Sequence, residues 1–131
     1  MKIKMKTGKA FDIVNGFGNL KQKRLPIRLS YTLNRNLKQL ESAVEIFNDE
    51  RYKLFEQYGE KDANGKIVVD DNGNVKFSDP LGFSAAINEL RDVDVEIPVQ
   101  KVSIEQFDAC DTEQFDSLTP AELDLLDFMI E

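Results

Sequence analysis

The chain opens on strict alternation, with Met1, Ile3 and Met5 set against Lys2, Lys4 and Lys6, the two-residue period of a half-buried strand. From Thr7 the apolar spacing lengthens to three and four residues, at Ala10, Ile13, Val14, Phe17 and Leu20, and predicts a first helix with one apolar face. Gly16 and Gly18, each costing ~1 kcal/mol against alanine inside a helix, predict that it ends early or kinks. Residues 21–28 read as a basic connector, broken where Pro26 pushes Leu25 toward extended geometry. Beyond it Leu33, Leu37, Leu40, Val44, Phe47, Arg51, Leu54 and Tyr58 alternate spacings of four and three, a heptad seam with one charged interruption. A cap at Ser30 or Thr32 and a stop at Gly59 bound a rod of about 27 residues, ~40 Å long. Such a rod needs a partner along its seam. The first helix offers one in a helical hairpin, but it is shorter, which leaves part of the seam for packing elsewhere or for self-association.

Past Gly59 the pattern turns polar. Asp62-Ala63-Asn64-Gly65 and Asp70-Asp71-Asn72-Gly73-Asn74 flank Ile67-Val68-Val69, and the Asn-Gly pairs predict a β-hairpin in which residues 66–71 pair with 74–78. Asp70, Asn72 and Asn74 imitate the first ligands of a calcium loop, but Val75 stands where its glycine belongs and Leu81 where its closing glutamate belongs, so no metal is expected. Asp79-Pro80 opens a third helix with Phe83, Ala86, Ile87 and Leu90 on its apolar face, ending near Arg91. Val93, Val95, Ile97 and Val99 then alternate as a strand, with Pro98 marking an edge. Set beside residues 1–6, that strand would place Asp94 and Glu96 opposite the N-terminal lysines. A capping box at Ser103 to Gln106 starts a short helix, and Thr119-Pro120-Ala121-Glu122 starts a terminal one whose broad apolar face carries Leu123, Leu125, Leu126, Phe128, Met129 and Ile130. The predicted class is α+β, mainly helical, in a single domain over residues 1–131: a long central helix in a helical hairpin, a β-hairpin and a small edge sheet.

Charge changes this picture more than composition does. The net charge of −7 conceals opposite halves, since residues 1–40 hold ten Lys and Arg against Asp12 alone, whereas residues 41–131 hold seven against 23 acids, and residues 105–131 hold nine acids and no base. The halves can neutralise each other on folding, or the basic one can serve an anionic partner. Nucleic-acid binding would require Lys21, Lys23, Arg24, Arg28, Arg35 and Lys38 to gather on one surface beside exposed aromatics. The acidic end could conversely mimic nucleic acid.

Catalytic chemistry finds few tools. With no histidine and only Cys110, Ser-His and Cys-His nucleophiles, imidazole ligands, an intrachain disulfide and multi-thiolate zinc are all excluded. Cys110 lies between Asp108 and Asp111, where neighbouring anions disfavour the thiolate, and reads as structural. No lysine follows an acid by two positions, and no nucleophile elbow or phosphate-binding loop occurs. The longest apolar runs have three residues, so neither a secretory signal nor a membrane span is expected, and the location reads as cytoplasmic.

The segments Lys23-Arg24-Leu25-Pro26-Ile27-Arg28-Leu29-Ser30-Tyr31, Asn34-Arg35-Asn36-Leu37, Tyr58-Gly59-Glu60-Lys61-Asp62 and Leu118-Thr119-Pro120 through Ile130 together resemble an uncharacterised family of small proteins from phages and prophages of Gram-positive bacteria. The resemblance spans nearly the whole chain and implies a phage-encoded protein in the host cytoplasm or on the virion. It brings no activity and no site residues.

The expected function is a non-catalytic module, without cofactor, that binds a host or phage protein stoichiometrically. Its expected contact residues are Leu33, Leu37, Leu40, Val44 and Arg51 of the seam and Leu125, Phe128 and Met129 of the terminal helix. The alternatives are an assembly protein that oligomerises through the long helix, and a nucleic-acid binder or mimic.

Overall fold

The N-terminal alternation becomes strand β1 (Lys2–Lys6) and the later one β2 (Asp94–Pro98), paired antiparallel in a register that sets Ile3 against Ile97, Met5 against Val95 and Lys6 against Asp94. These features come from a computed structural model, which describes residues 1–18, 20–108 and 115–130. Met5 and Ile97 point into the core, while the lysines meet acids on the solvent side: Lys6 Nζ lies 2.9 Å from Asp94 and 3.5 Å from Asp92, and Lys4 Nζ lies 3.5 Å from Asp94. The hydrogen bond from Lys6 holds the Asp94 carboxyl below its usual range, and the same bond raises the Lys6 ammonium above its own. The expected pairing is therefore present.

Helix α1 (Thr7–Gly16) follows β1 without a loop. Its first residue takes the place of a cap, with the Thr7 N–H donating to Val93 O at 2.9 Å and the Thr7 hydroxyl to Leu90 O at 2.7 Å. The helix stops at Gly16 and is followed by a 3₁₀ turn at Leu20–Gln22, so the glycine pair shortens it as expected.

Helix α2 (Ile27–Tyr58) has 32 residues and a length of ~48 Å. It starts earlier than Ser30 or Thr32 would allow as caps, because Pro26, already fixed near helical φ, occupies the cap position and its carbonyl accepts the Ser30 N–H at 2.9 Å. At the other end the Gly59 N–H closes on Phe55 O. The seam is occupied from within the chain: α1 and α3 (Pro80–Arg91) both lie along α2, and β2 and the C-terminal residues Leu126 and Met129 join the same buried cluster. Phe47 meets Phe11 with ring centroids 4.9 Å apart, and Phe55 stacks on Phe83 and Phe77 at 5.5 and 6.1 Å, closing the last turns of the rod. α3 is capped as expected, Asp79 accepting from the Gly82 N–H at 3.1 Å.

The expected two-stranded hairpin is replaced by a closed ring of three segments. Val69 bridges Val75 as a hairpin would, but Ile67 turns away to Lys61 and Phe77 to Gly59. Glu60 N–H donates to Lys76 O, Lys76 N–H to Val68 O and Val68 N–H back to Glu60 O. Two near-identical turns build the corners, with Gly65 and Gly73 at φ 78° and 81° where a Cβ would be strained. Asp62 Oδ1 accepts from Asn64 and Lys66 N–H, and Asp70 Oδ1 from Asn72 and Asn74 N–H, all at 2.9–3.0 Å, so these carboxylates serve the turns themselves.

The C-terminal part is less helical than its apolar pattern predicts. α4 (Ile104–Asp108) is short, and the Gln106 N–H is taken by the backbone carbonyl of Ser103. α5 (Pro120–Leu125) has the expected capping box between Thr119 and Glu122, then gives way to a 3₁₀ turn at Asp127–Met129. The Val102 N–H draws Met129 O into a parallel bridge between Val102 and Ile130, which an uninterrupted helix could not supply. Cys110 lies outside the described residues.

Candidate functional site

Helix α2 presents two faces with the same three-and-four spacing. The inner one is spoken for: Leu33, Leu37, Leu40 and Val44 are all buried in the chain's own core, as are Phe128 and Met129 from the C-terminal turn, and Leu125 is half-buried beside Gly16. These residues were expected to meet a partner, and the fold corrects that expectation. Their period signals burial, and α1, α3, β2 and the C-terminus provide it. Arg51, the charged break in the seam, is also internal. Its guanidinium lies 4.9 Å over the Phe11 ring and 5.6 and 5.7 Å from those of Tyr52 and Phe55, so cation–π contacts replace the missing apolar group. Its Nε is buried without a hydrogen-bond partner at the base of an open cleft of about 470 Å³ walled by phenylalanines.

The predicted cationic residues divide into two sets. Lys21, Lys23 and Arg24 are engaged by the acidic half: Lys21 lies 3.6 Å from Glu41, Lys23 Nζ 2.6 Å from Glu122 Oε1 and 2.7 Å from Ser117 O, and the Arg24 N–H donates to Asp116 at 2.6 Å. The backbone bond from Arg24 chiefly holds the Asp116 carboxyl low. Part of the acidic C-terminal region is thereby folded onto the basic connector, which removes those charges from any nucleic-acid-like display.

Partial burial would raise the Glu122 carboxyl, but the bond from Lys23 and those from Thr119 outweigh it and set the carboxyl below its usual 4.5. A depressed carboxylate contributes stability above its unfolded value and loses it as pH falls through the folded one. Glu122→Gln keeps an acceptor for the Thr119 N–H and removes the ion pair. It should cost about 1 kcal/mol at neutral pH. In urea titrations its penalty should fade below the usual value of 4.5; a penalty independent of pH would refute the assignment.

Arg28, Arg35 and Lys38 form the second set. They stand on the outer face of α2, exposed and without an ion pair among the described residues. That face runs through Arg28, Tyr31, Arg35, Lys38, Ser42, Glu45, Asp49, Tyr52 and Glu56, all exposed. Three large apolar or aromatic side chains stand out from it, Tyr31 at 67 %, Ile46 at 70 % and Tyr52 at 60 % exposure. Alongside Tyr31, Arg28 and Arg35 line a cleft of about 510 Å³ with Gln100, Lys101 and Gln106. Alongside Ile46, an apolar groove of about 410 Å³ runs between α2 and residues Leu90, Val93 and Val95. Hydrophobic spacing does not mark this face; its signal in the sequence is the segregation of its charges.

The described residues hold no cluster of three or more metal-ligating side chains and no helix long and apolar enough to cross a membrane. No protein-family model matches the chain, and neither a curated protein nor a solved structure does.

Proposed function

We propose that this protein is a non-catalytic interaction module, phage-encoded and cytoplasmic, that binds another protein through the outer face of α2. One observation carries the reading: a helix of 32 residues whose inner face is filled by its own chain still holds Tyr31, Ile46 and Tyr52 in water among exposed charged side chains. Large exposed aromatics beside arginine are the side chains that dominate protein–protein contacts. The phage and cytoplasmic assignments rest on the resemblance drawn from the sequence. Exposed substitutions on this face should change stability by less than ~0.5 kcal/mol. The double variant Tyr31→Glu/Tyr52→Glu should therefore melt as the parent does yet lose the proteins that co-purify with it from host cells. Retention of the same partners by the double variant would refute the reading.

The gathering of Arg28, Arg35 and Lys101 around Tyr31 favours a second reading, nucleic-acid binding. That reading requires affinity for a single- or double-stranded oligonucleotide that falls steeply with salt and drops further on Arg28→Ala and Arg35→Ala.

A further inference from the structure

The order of charges along the outer face of α2 runs against the helix's own field. A helix favours anions in its first turn and cations in its last, yet Arg28 opens this face and Glu56 closes it; between them the first half carries Arg35 and Lys38 and the second half Glu45 and Asp49, with Lys53 its one cation. Glu56 finds a partner within the described chain, Lys61 at 3.6 Å. Lys53 pairs with Glu50 at 2.9 Å and its charge reaches Asp49, whereas Arg28, Arg35, Lys38 and Glu45 have no ion pair among the described residues. Apart from Lys53, which falls opposite Tyr31, the face is also the same read from either end with the sign of charge reversed. Arg28 and Glu56 lie 14 residues to either side of Ser42, and Arg35 and Asp49 lie seven. Lys38 and Glu45 lie four and three residues away, and Tyr31 and Tyr52 eleven and ten.

We infer that, in the chain free of its partner, the occupant of this face is a second copy of the chain, the two α2 helices lying antiparallel about a two-fold axis at Ser42. In an isologous pair every contact occurs twice. Arg35 of each copy then faces Asp49 of the other, Lys38 faces Glu45, Arg28 faces Glu56 and the tyrosines approach each other. Each cationic first half meets an acidic second half, and the two helix dipoles oppose. Near the axis, Ile46 and the apolar groove beside it supply the dry centre that a charged rim needs around it. The contact would run ~42 Å from Arg28 to Glu56 at 1.5 Å per residue.

This inference rests on the outer face being a contact surface, and the test separates the two. The purified full-length chain, Arg35→Glu, Asp49→Arg and the double variant Arg35→Glu/Asp49→Arg are compared by sedimentation equilibrium over a concentration series, with thermal melts confirming that each is folded. The parent should pass from monomer to dimer with concentration. Each single reversal places two like-charge contacts in the dimer and should raise its dissociation constant at least about tenfold, and the double variant should return to within about threefold of the parent. Recovery of affinity by a second reversal is an effect that loss of folding cannot produce. A parent that stays monomeric throughout, or single reversals that leave the dissociation constant unchanged, would overturn the second copy as occupant. If such a monomer still lost its captured partners on Tyr31→Glu/Tyr52→Glu, the contact-face reading would stand while the dimer fell.

Discussion

Leu40→Ala should lower the free energy of unfolding by about 2–5 kcal/mol, read as a fall in the urea midpoint at unchanged slope. Leu40 is 0 % exposed at the middle of α2 and belongs to the cluster that includes Leu37, Val44, Ile97 and Leu126. Truncation removes transfer free energy and leaves a cavity that the surrounding core side chains relax into only in part. A control at Tyr31, on the opposite face, should shift stability by less than ~0.5 kcal/mol when replaced by alanine. The comparison decides what the heptad seam is for. Were the seam a docking surface for another molecule, Leu40→Ala would leave the isolated chain about as stable as Tyr31→Ala and weaken association instead.

The second large effect is expected at Asn36, a polar residue 1 % exposed within the apolar face of α2. Its side chain acts as a piece of backbone: Nδ2 donates to Gln100 O at 2.9 Å, Oδ1 accepts the Gln100 N–H at 2.9 Å, and Nδ2 also approaches Met129 Sδ at 3.5 Å. This clamp fixes the segment leaving β2 so that Val102 can bridge the C-terminus. Asn36→Ala strands both Gln100 backbone groups and should cost about 2–4 kcal/mol. Asn36→Asp keeps the acceptor but turns a carboxylate oxygen toward the Gln100 carbonyl. Burial and that carbonyl both favour its protonated form, so its folded pKa lies above its unfolded one. The penalty is then full at neutral pH, where it should exceed that of alanine, and it shrinks as pH falls through the folded pKa. Equal penalties for Asp and Ala at all pH values would contradict the clamp.

What was legible in the sequence was local or strictly periodic. The alternations at residues 1–6 and 93–99 predicted both strands and the meeting of Lys4 and Lys6 with Asp94, because a two-residue period fixes which side each residue faces. Asp79-Pro80 and the Thr119 to Glu122 box marked helix starts because the capping chemistry lies within four residues. The departures arise where a distant segment decides. The Asn-Gly turns were readable, but the strand that completes their ring is residues 59–61 at the end of α2. The apolar face of the terminal helix was readable, but the Val102 N–H bends its last residues out of the helix.

The candidate site follows the same division. The seam from Leu33 to Tyr58 announced burial correctly through its period, and period carries no record of whether the covering residues belong to the same chain. Phe83 of α3 and Phe77 of the ring cover its end, Leu126 and Met129 its middle cluster from the C-terminus. The outer face shares the spacing but fills it with arginine, glutamate, aspartate and tyrosine, so an apolar count passes over it. Only the division of its charges about Ser42, at odds with the helix dipole, sets it apart from an ordinary solvated surface.

The chain has three tyrosines, and their placement makes a direct measurement possible: Tyr31 and Tyr52 stand on the outer face of α2, while Tyr58 packs edge-on to Phe83. Nitration followed by mass spectrometry, on the dilute chain and on its complex, reports each of the three separately. Tyr31 and Tyr52 should react readily in the dilute chain and be protected together in the complex, with Tyr58 unchanged. A stable complex in which Tyr31 and Tyr52 stay as reactive as in the free chain would contradict that expectation.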